Sequence, residues 1–215
     1  MASRGMWRTL MPPASYGALA WGYNKTGCFL WARVFQNQRV YIQADWKFQQ
    51  QPVEDVSREI HARTEALGLP PFTAVYADET LFDLTTTDTN KPRVESLAAV
   101  FRRNGLMLVP APKDEAHGWQ RVQDYLRAAP DGQPWLVVSP KATALVRTLP
   151  TLVQDEHDPD LCTGRRFAAD ALRALLTSRP RPGSVVTPQP SYPWGTVGWL
   201  KGLDKRKPTD FGLHR

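Results

Sequence analysis

The chain has 215 residues, 42% of them hydrophobic and 22% charged, which suits one globular domain with a sizeable core plus an extension. Its two cysteines, Cys28 and Cys162, have no metal-ligand spacing, which argues against a zinc site or a disulfide framework; no run reaches the apolar length of a membrane span, and no charged-then-apolar leader is present. The formal net charge of +6 points to a polyanion partner, but from Arg179 onward there are seven Lys/Arg against two Asp, so most of the excess belongs to the tail.

Residues 1–15 read as a polar lead, the edge of an excised segment, with Pro12-Pro13 before the first strand. Tyr16–Gly22, Cys28–Phe35 and Val40–Trp46 are short apolar runs separated by turn-forming stretches at Tyr23–Gly27 and Gln36–Gln38, the pattern of a three-strand meander. Cys28 lies within the second run and reads as a buried reduced thiol. The spacing of Val53, Val56, Ile60, Thr64 and Leu67 predicts an amphipathic helix ended by Gly68. Phe72–Ala77 reads as a strand running into Asp78-Glu79, and Thr85–Pro92 as a polar surface loop. A helix over Val94–Arg103, a strand over Leu106–Pro110 and a helix over His117–Ala128 follow. The last turns inward Trp119, Val122, Tyr125 and Leu126. A strand over Pro134–Ser139, a short helix over Thr143–Leu149 and a last helix over Phe167–Leu176 complete a domain spanning 16–179. Residues 180–215 form a Pro-rich basic tail whose prolines, from Pro180 to Pro193, forbid regular structure. Strands in series followed by helix–strand alternation predict an α/β fold: an antiparallel meander, then parallel strands, in one mixed sheet flanked by helices.

Two acids stand apart from those dispersed on helix faces. Asp78 ends a buried strand, where α/β sheets present chemistry. Asp170 lies in a helix of small and apolar residues and shares a face with Phe167, Ala171 and Ala174. A carboxylate there needs a partner: a divalent cation, or a salt bridge to Arg165, Arg166 or Arg173. For Asp78 the plainer alternative is a turn or capping acid.

Tyr16-Gly-Ala-Leu-Ala20-Trp-Gly-Tyr-Asn followed by Cys28-Phe-Leu-Trp31, then Tyr76-Ala-Asp78, resembles the opening and second acidic motif of the nuclease domain of tailed-bacteriophage large terminases. Asn104-Gly-Leu, Pro110-Ala, Gly118-Trp119, Arg147-Thr-Leu-Pro150 and Ala168-Ala-Asp170-Ala-Leu-Arg173 resemble that family's middle and closing segments. The resemblance runs from about Tyr16 to Pro180. It implies an RNase H-like sheet and two-metal endonuclease chemistry with Mg²⁺ or Mn²⁺. Asp78 and Asp170 are then metal ligands, and position 20 is the place of a third, bridging aspartate. Ala20 stands there with its neighbours intact, which reads as an inactivating substitution, so the chain should not cut until Ala20→Asp restores the ligand. Phe167 stands near where many members carry a His.

By the same resemblance the partners are double-stranded DNA, a packaging ATPase domain, a small terminase subunit and the capsid portal, in the cytoplasm of an infected bacterium. No Walker-type phosphate loop occurs here; Gly22-Tyr-Asn-Lys-Thr26 has the wrong spacing. Candidate phosphate contacts are Lys25, Arg33, Lys91, Arg102, Arg103, Lys113 and Lys141. Two rival readings are another RNase H-like nuclease of the resolvase kind, and a module that docks on DNA without catalysis, with Lys201 and Lys205-Arg206-Lys207 in contact.

Overall fold

Alternating apolar residues in the first fifty positions build the predicted meander: β1 (Ala14–Ala20), β2 (Gly27–Val34) and β3 (Val40–Phe48), paired antiparallel. The first strand ends two residues earlier than its apolar run suggests because Gly22 belongs to the turn. A Cβ there would stand 2.7 Å from the Lys25 carbonyl oxygen. The computed structural model describes residues 13–83, 85–86, 94–154, 162–163 and 166–183. The basic tail beyond 183, most of the lead and Lys91 lie outside them.

Helix α1 (Val53–Ala66) closes as expected at Gly68, whose φ of +61° suits a residue without a Cβ. Strand β4 (Ala74–Asp78) runs parallel to β1 and ends in a 3₁₀ turn over Glu79–Phe82. A two-residue ladder, β5 (Thr85–Thr86) with β6 (Val94–Glu95), brackets the predicted loop. That ladder corrects the start of the next helix: α2 spans Leu97–Arg103, and the Ser96 hydroxyl accepts a hydrogen bond from the Ala99 N–H at 3.2 Å. Strand β7 (Leu108–Ala111) leads to α3 (Glu115–Leu126), which starts two residues before His117. The Asp114 carboxylate caps it by accepting from the His117 N–H at 2.9 Å. Leu126, expected inside, is 55% exposed, while Trp119, Val122 and Tyr125 are buried. Strand β8 (Leu136–Val138) and α4 (Thr143–Thr148) follow, then a ladder of β9 (Val153–Gln154) and β10 (Cys162–Thr163), and α5 (Phe167–Thr177).

Six strands form one mixed sheet in the order β7-β4-β1-β2-β3-β8, the RNase H-like α/β arrangement that the sequence predicts. Strands β1, β3, β4, β7 and β8 all run the same way, so their C-terminal ends meet at one edge; only β2 opposes them. Helices α1 and α2 bury Val53, Val56, Ile60, Val100 and Phe101 against one face. Helices α3, α4 and α5 cover the other, and eight of the eleven residues of α5 are buried there. Close packing reaches the backbone at Gly17, where a Cβ would lie 2.6 Å from the Phe29 ring.

One irregularity re-aims side chains. Between Trp31↔Ala44 and Ala32↔Ile42 the ladder slips by one residue, leaving Gln43 as a bulge in β3. Before it, Val40 and Ile42 face α3–α5; after it, Ala44 and Phe48 face α1, and Asp45 and Lys47 take the α4–α5 side. Among the described residues no helix is long and apolar enough to cross a membrane.

Candidate active site

The sheet register assembles the site. Leu19 pairs with Ala77, so the next residues, Ala20 and Asp78, end adjoining parallel strands, and Asp78 pairs onward with Ala111. Above this row the first turn of α5 brings Asp170. Ala20, Asp78, Glu115, Asp170, Arg166 and Arg173 all line one cleft of about 350 Å³ at the strand C-termini. Three residues far apart in the chain, Ala20, Asp78 and Asp170, therefore line the same cleft.

Their partners are the plainer ones of the two considered for each. Asp78 Oδ1 accepts from the Thr80 N–H at 2.9 Å and the Thr80 hydroxyl at 2.7 Å, capping the 3₁₀ turn. Asp170 Oδ1 lies 3.2 Å from Arg166 Nη2 and 3.7 Å from Arg173 Nε. Burial pushes the Asp170 carboxyl above the ordinary carboxylate range, and the two guanidiniums pull it back. Arg173 Nη2 also stands 3.9 Å from Asp78 Oδ2, so one guanidinium lies between both acids. Arg165 lies outside the described residues.

Two features hold the arginines in place. Arg166 also pairs with Glu115, whose Oε1 accepts from the Trp119 indole N–H at 3.2 Å, and both guanidiniums lie over the Trp119 ring, at 5.5 and 5.8 Å. Arg173 is only 8% exposed, and its Nε has no hydrogen-bond partner. Its stem passes over Gly118 of α3, where a Cβ would come within 2.8 Å of Arg173 Cγ. A larger residue there would shift the guanidinium.

This donor set does not fit two divalent cations. Position 20 offers a methyl group, and the three carboxylates of the cleft share two guanidiniums, Arg166 and Arg173, that cannot lose their charge. Among the described residues no group of three or more His, Cys, Asp or Glu is placed to hold a metal ion. The expectation that Asp78 and Asp170 share an ion thus meets Arg173 in the intervening space.

The candidate phosphate contacts scatter. Lys25 lies in the turn after β1 and Lys113 just after β7, both exposed at the cleft's edge of the sheet. Lys141 is exposed at the entry to α4. Arg33 instead lines a depression with Arg39, near the start of β3 at the opposite end of the sheet. Arg102 and Arg103 sit on α2, over the far face, where Arg103 pairs with Glu95 at 3.1 Å. Glu115 escapes a reading of the sequence because the apolar period of α3 begins only after it, and Arg166 enters one only as a salt-bridge partner.

No protein-family model matches the chain, and no curated protein does. Solved structures match it. The large terminase of a thermophilic bacteriophage, in complex with ADP, is 13% identical with a TM-score of 0.61, covering 78% of this chain and 40% of that one. The nuclease domain of the P22 large terminase is 12% identical with a TM-score of 0.56, covering 75% of this chain and 78% of that one. The large terminase nuclease domain of bacteriophage SPP1, with bound Mn, is 13% identical with a TM-score of 0.51, covering 80% and 92%. The chain spans 40% of the length of the ADP-bound terminase but most of the two separate nuclease domains. At these identities the likeness is one of fold: this chain folds as large terminase nuclease domains do.

Proposed function

We propose that this chain is the nuclease-fold domain of a viral genome-packaging large terminase, one that engages duplex DNA and does not cut it in its present form. The observation that carries this is Arg173, set between Asp78 and Asp170 in the cleft where Ala20 stands beside Asp78. Mg²⁺ and Mn²⁺ need hard oxygen ligands with charge left to give. Here two guanidiniums offset most of that charge, and the residue best placed to bridge is an alanine. Phe167, near where the resemblance places a His, stands as a second departure beside Ala20.

The active parent would be a metal-dependent endonuclease that cuts concatemeric DNA with weak dependence on sequence. A packaging ATPase domain, a small subunit and the capsid portal would be its partners, in the cytoplasm of an infected bacterium. One pair of measurements tests the proposal: supercoiled plasmid incubated with the chain and Mn²⁺, and duplex binding in EDTA. Intact plasmid together with metal-independent binding supports it. Nicking by the unmodified chain sinks it.

A further inference from the structure

Beside the cleft, across the start of α5, lies a second depression of about 370 Å³. Arg166 lines the first and Phe167 the second, so the two share a wall. Lys47, Arg63 and Arg147 converge on it against a single carboxylate, Asp45. That carboxylate is turned inward, accepting from the Leu145 N–H at 2.6 Å and capping α4. Lys47 and Arg147 are exposed and have no salt-bridge partner among the described residues. Arg63 is held by Glu59 at 2.7 Å and stacks over Trp46 with its guanidinium carbon 5.0 Å from the ring centre.

The placement follows from the bulge at Gln43. Without that extra residue the alternation of β3 would send Lys47 towards α1; with it, Lys47 joins the row Ala20↔Cys28↔Lys47. Two strand spacings separate Ala20 from Lys47, roughly 10 Å. One strand of duplex DNA covers that distance in about three nucleotide steps.

We infer that the Lys47–Arg63–Arg147 groove seats the phosphodiester backbone of duplex DNA and leads it to the adjoining cleft. This rests on the DNA reading above. Three cations on a rigid frame of sheet, α1 and α4 supply phosphate contacts without reading bases, and the Trp46 face fixes one guanidinium in advance. None of the three is a candidate from sequence, because each sits among helix-face or strand charges that read as solvated.

The test is anisotropy of a short labelled duplex at low salt, in EDTA, with the whole chain. Lys47→Glu with Arg147→Glu is expected to weaken binding by about tenfold or more. Lys47→Ala and Arg147→Ala should each lower the log–log salt slope by about 0.9, the share of one phosphate. Lys47→Arg should retain affinity, and Arg127→Glu, just past α3 at the opposite end of the sheet, should leave it unchanged. Lys47 eases the charge of Asp45 and Arg147 sits in the last turn of α4, so the double reversal should melt somewhat lower than the parent; Lys47→Ala with Arg147→Ala, which adds no negative charge, should weaken binding as well. Unchanged affinity in the double reversal overturns the groove while leaving the DNA reading intact. Failure of the unmodified chain to bind duplex overturns that reading, and the groove with it.

Discussion

Arg173 Nε lies 3.7 Å from Asp170 Oδ1, one helical turn earlier on α5, and no hydrogen bond joins them. Both side chains are largely buried, with relative exposures of 10% and 29%. Breaking such a pair leaves an uncompensated charge, while removing both members forfeits little. A double-mutant cycle of Asp170→Asn and Arg173→Gln should therefore show a coupling of about 1–3 kcal/mol. Denaturant unfolding of the four forms measures it. Additive effects would mean that the two groups are held by their other neighbours.

Much of this geometry is legible in the chain itself. Three apolar runs and their turns specify the meander, and position alone singles out Asp78 and Asp170, at a strand end and on a small-residue helix. What stays hidden is whatever depends on contacts between distant segments. Nothing in Val40–Trp46 announces the bulge at Gln43, because the slip is defined only by pairing with Trp31 and Ala32. The reach of Arg166 to Glu115 spans 51 residues and depends on α3 packing beside α5. The short ladders at Thr85–Thr86 and Val153–Gln154 are too brief to show a period.

Gly17 sits mid-strand, where an added Cβ would meet the Phe29 ring at 2.6 Å and both Val75 methyls at 3.1–3.2 Å. All these neighbours are in the packed core, and Phe29 already stacks edge-on with Trp31 at 4.6 Å. Gly17→Ala should destabilise the fold by about 1–3 kcal/mol through overpacking, despite the better strand propensity of alanine. Chemical denaturation reads this directly. A neutral or stabilising result would mean that Phe29 can move aside without cost.

Asp45 offers a pH test. Burial raises its carboxyl above the ordinary value of 3.8, and the Leu145 and Ala144 N–H groups oppose the shift. Because the folded form holds its proton more tightly than the unfolded one, this group favours folding at low pH. That advantage is lost as pH rises from about 3.8 through the folded value. Asp45→Asn keeps an oxygen for the Leu145 N–H and removes the charge. Melting temperature of the variant relative to the parent should climb across that window and then level off. Asp45→Ala, which also leaves the helix cap unmade, should follow the same pH trend and lie about 1–2 kcal/mol below Asp45→Asn throughout. A difference curve for Asp45→Asn that is flat with pH would contradict the assignment.

The sharpest prediction concerns Ala20 and Arg166 together. A third carboxylate at position 20 would stand beside Asp78, yet Arg166 still pairs with Asp170 and Glu115. Ala20→Asp alone should therefore recover little Mn²⁺-dependent plasmid nicking. Ala20→Asp with Arg166→Ala leaves Asp170 to hold Arg173 alone and draw it away from Asp78; it should cut on the order of a thousandfold faster than the unmodified chain, equivalent to about 4 kcal/mol of barrier. Adding Asp78→Asn should abolish the gain. The double variant crowds four acids around one remaining arginine, so without metal it should melt lower than the parent. Mn²⁺ should raise its melting temperature and leave that of the parent unmoved, since a ligand bound only by the folded form stabilises it. Equal cutting by the single and double variants would dismiss Arg166 as the obstacle. A double variant that neither cuts nor responds thermally to Mn²⁺ would remove position 20 from the active site altogether.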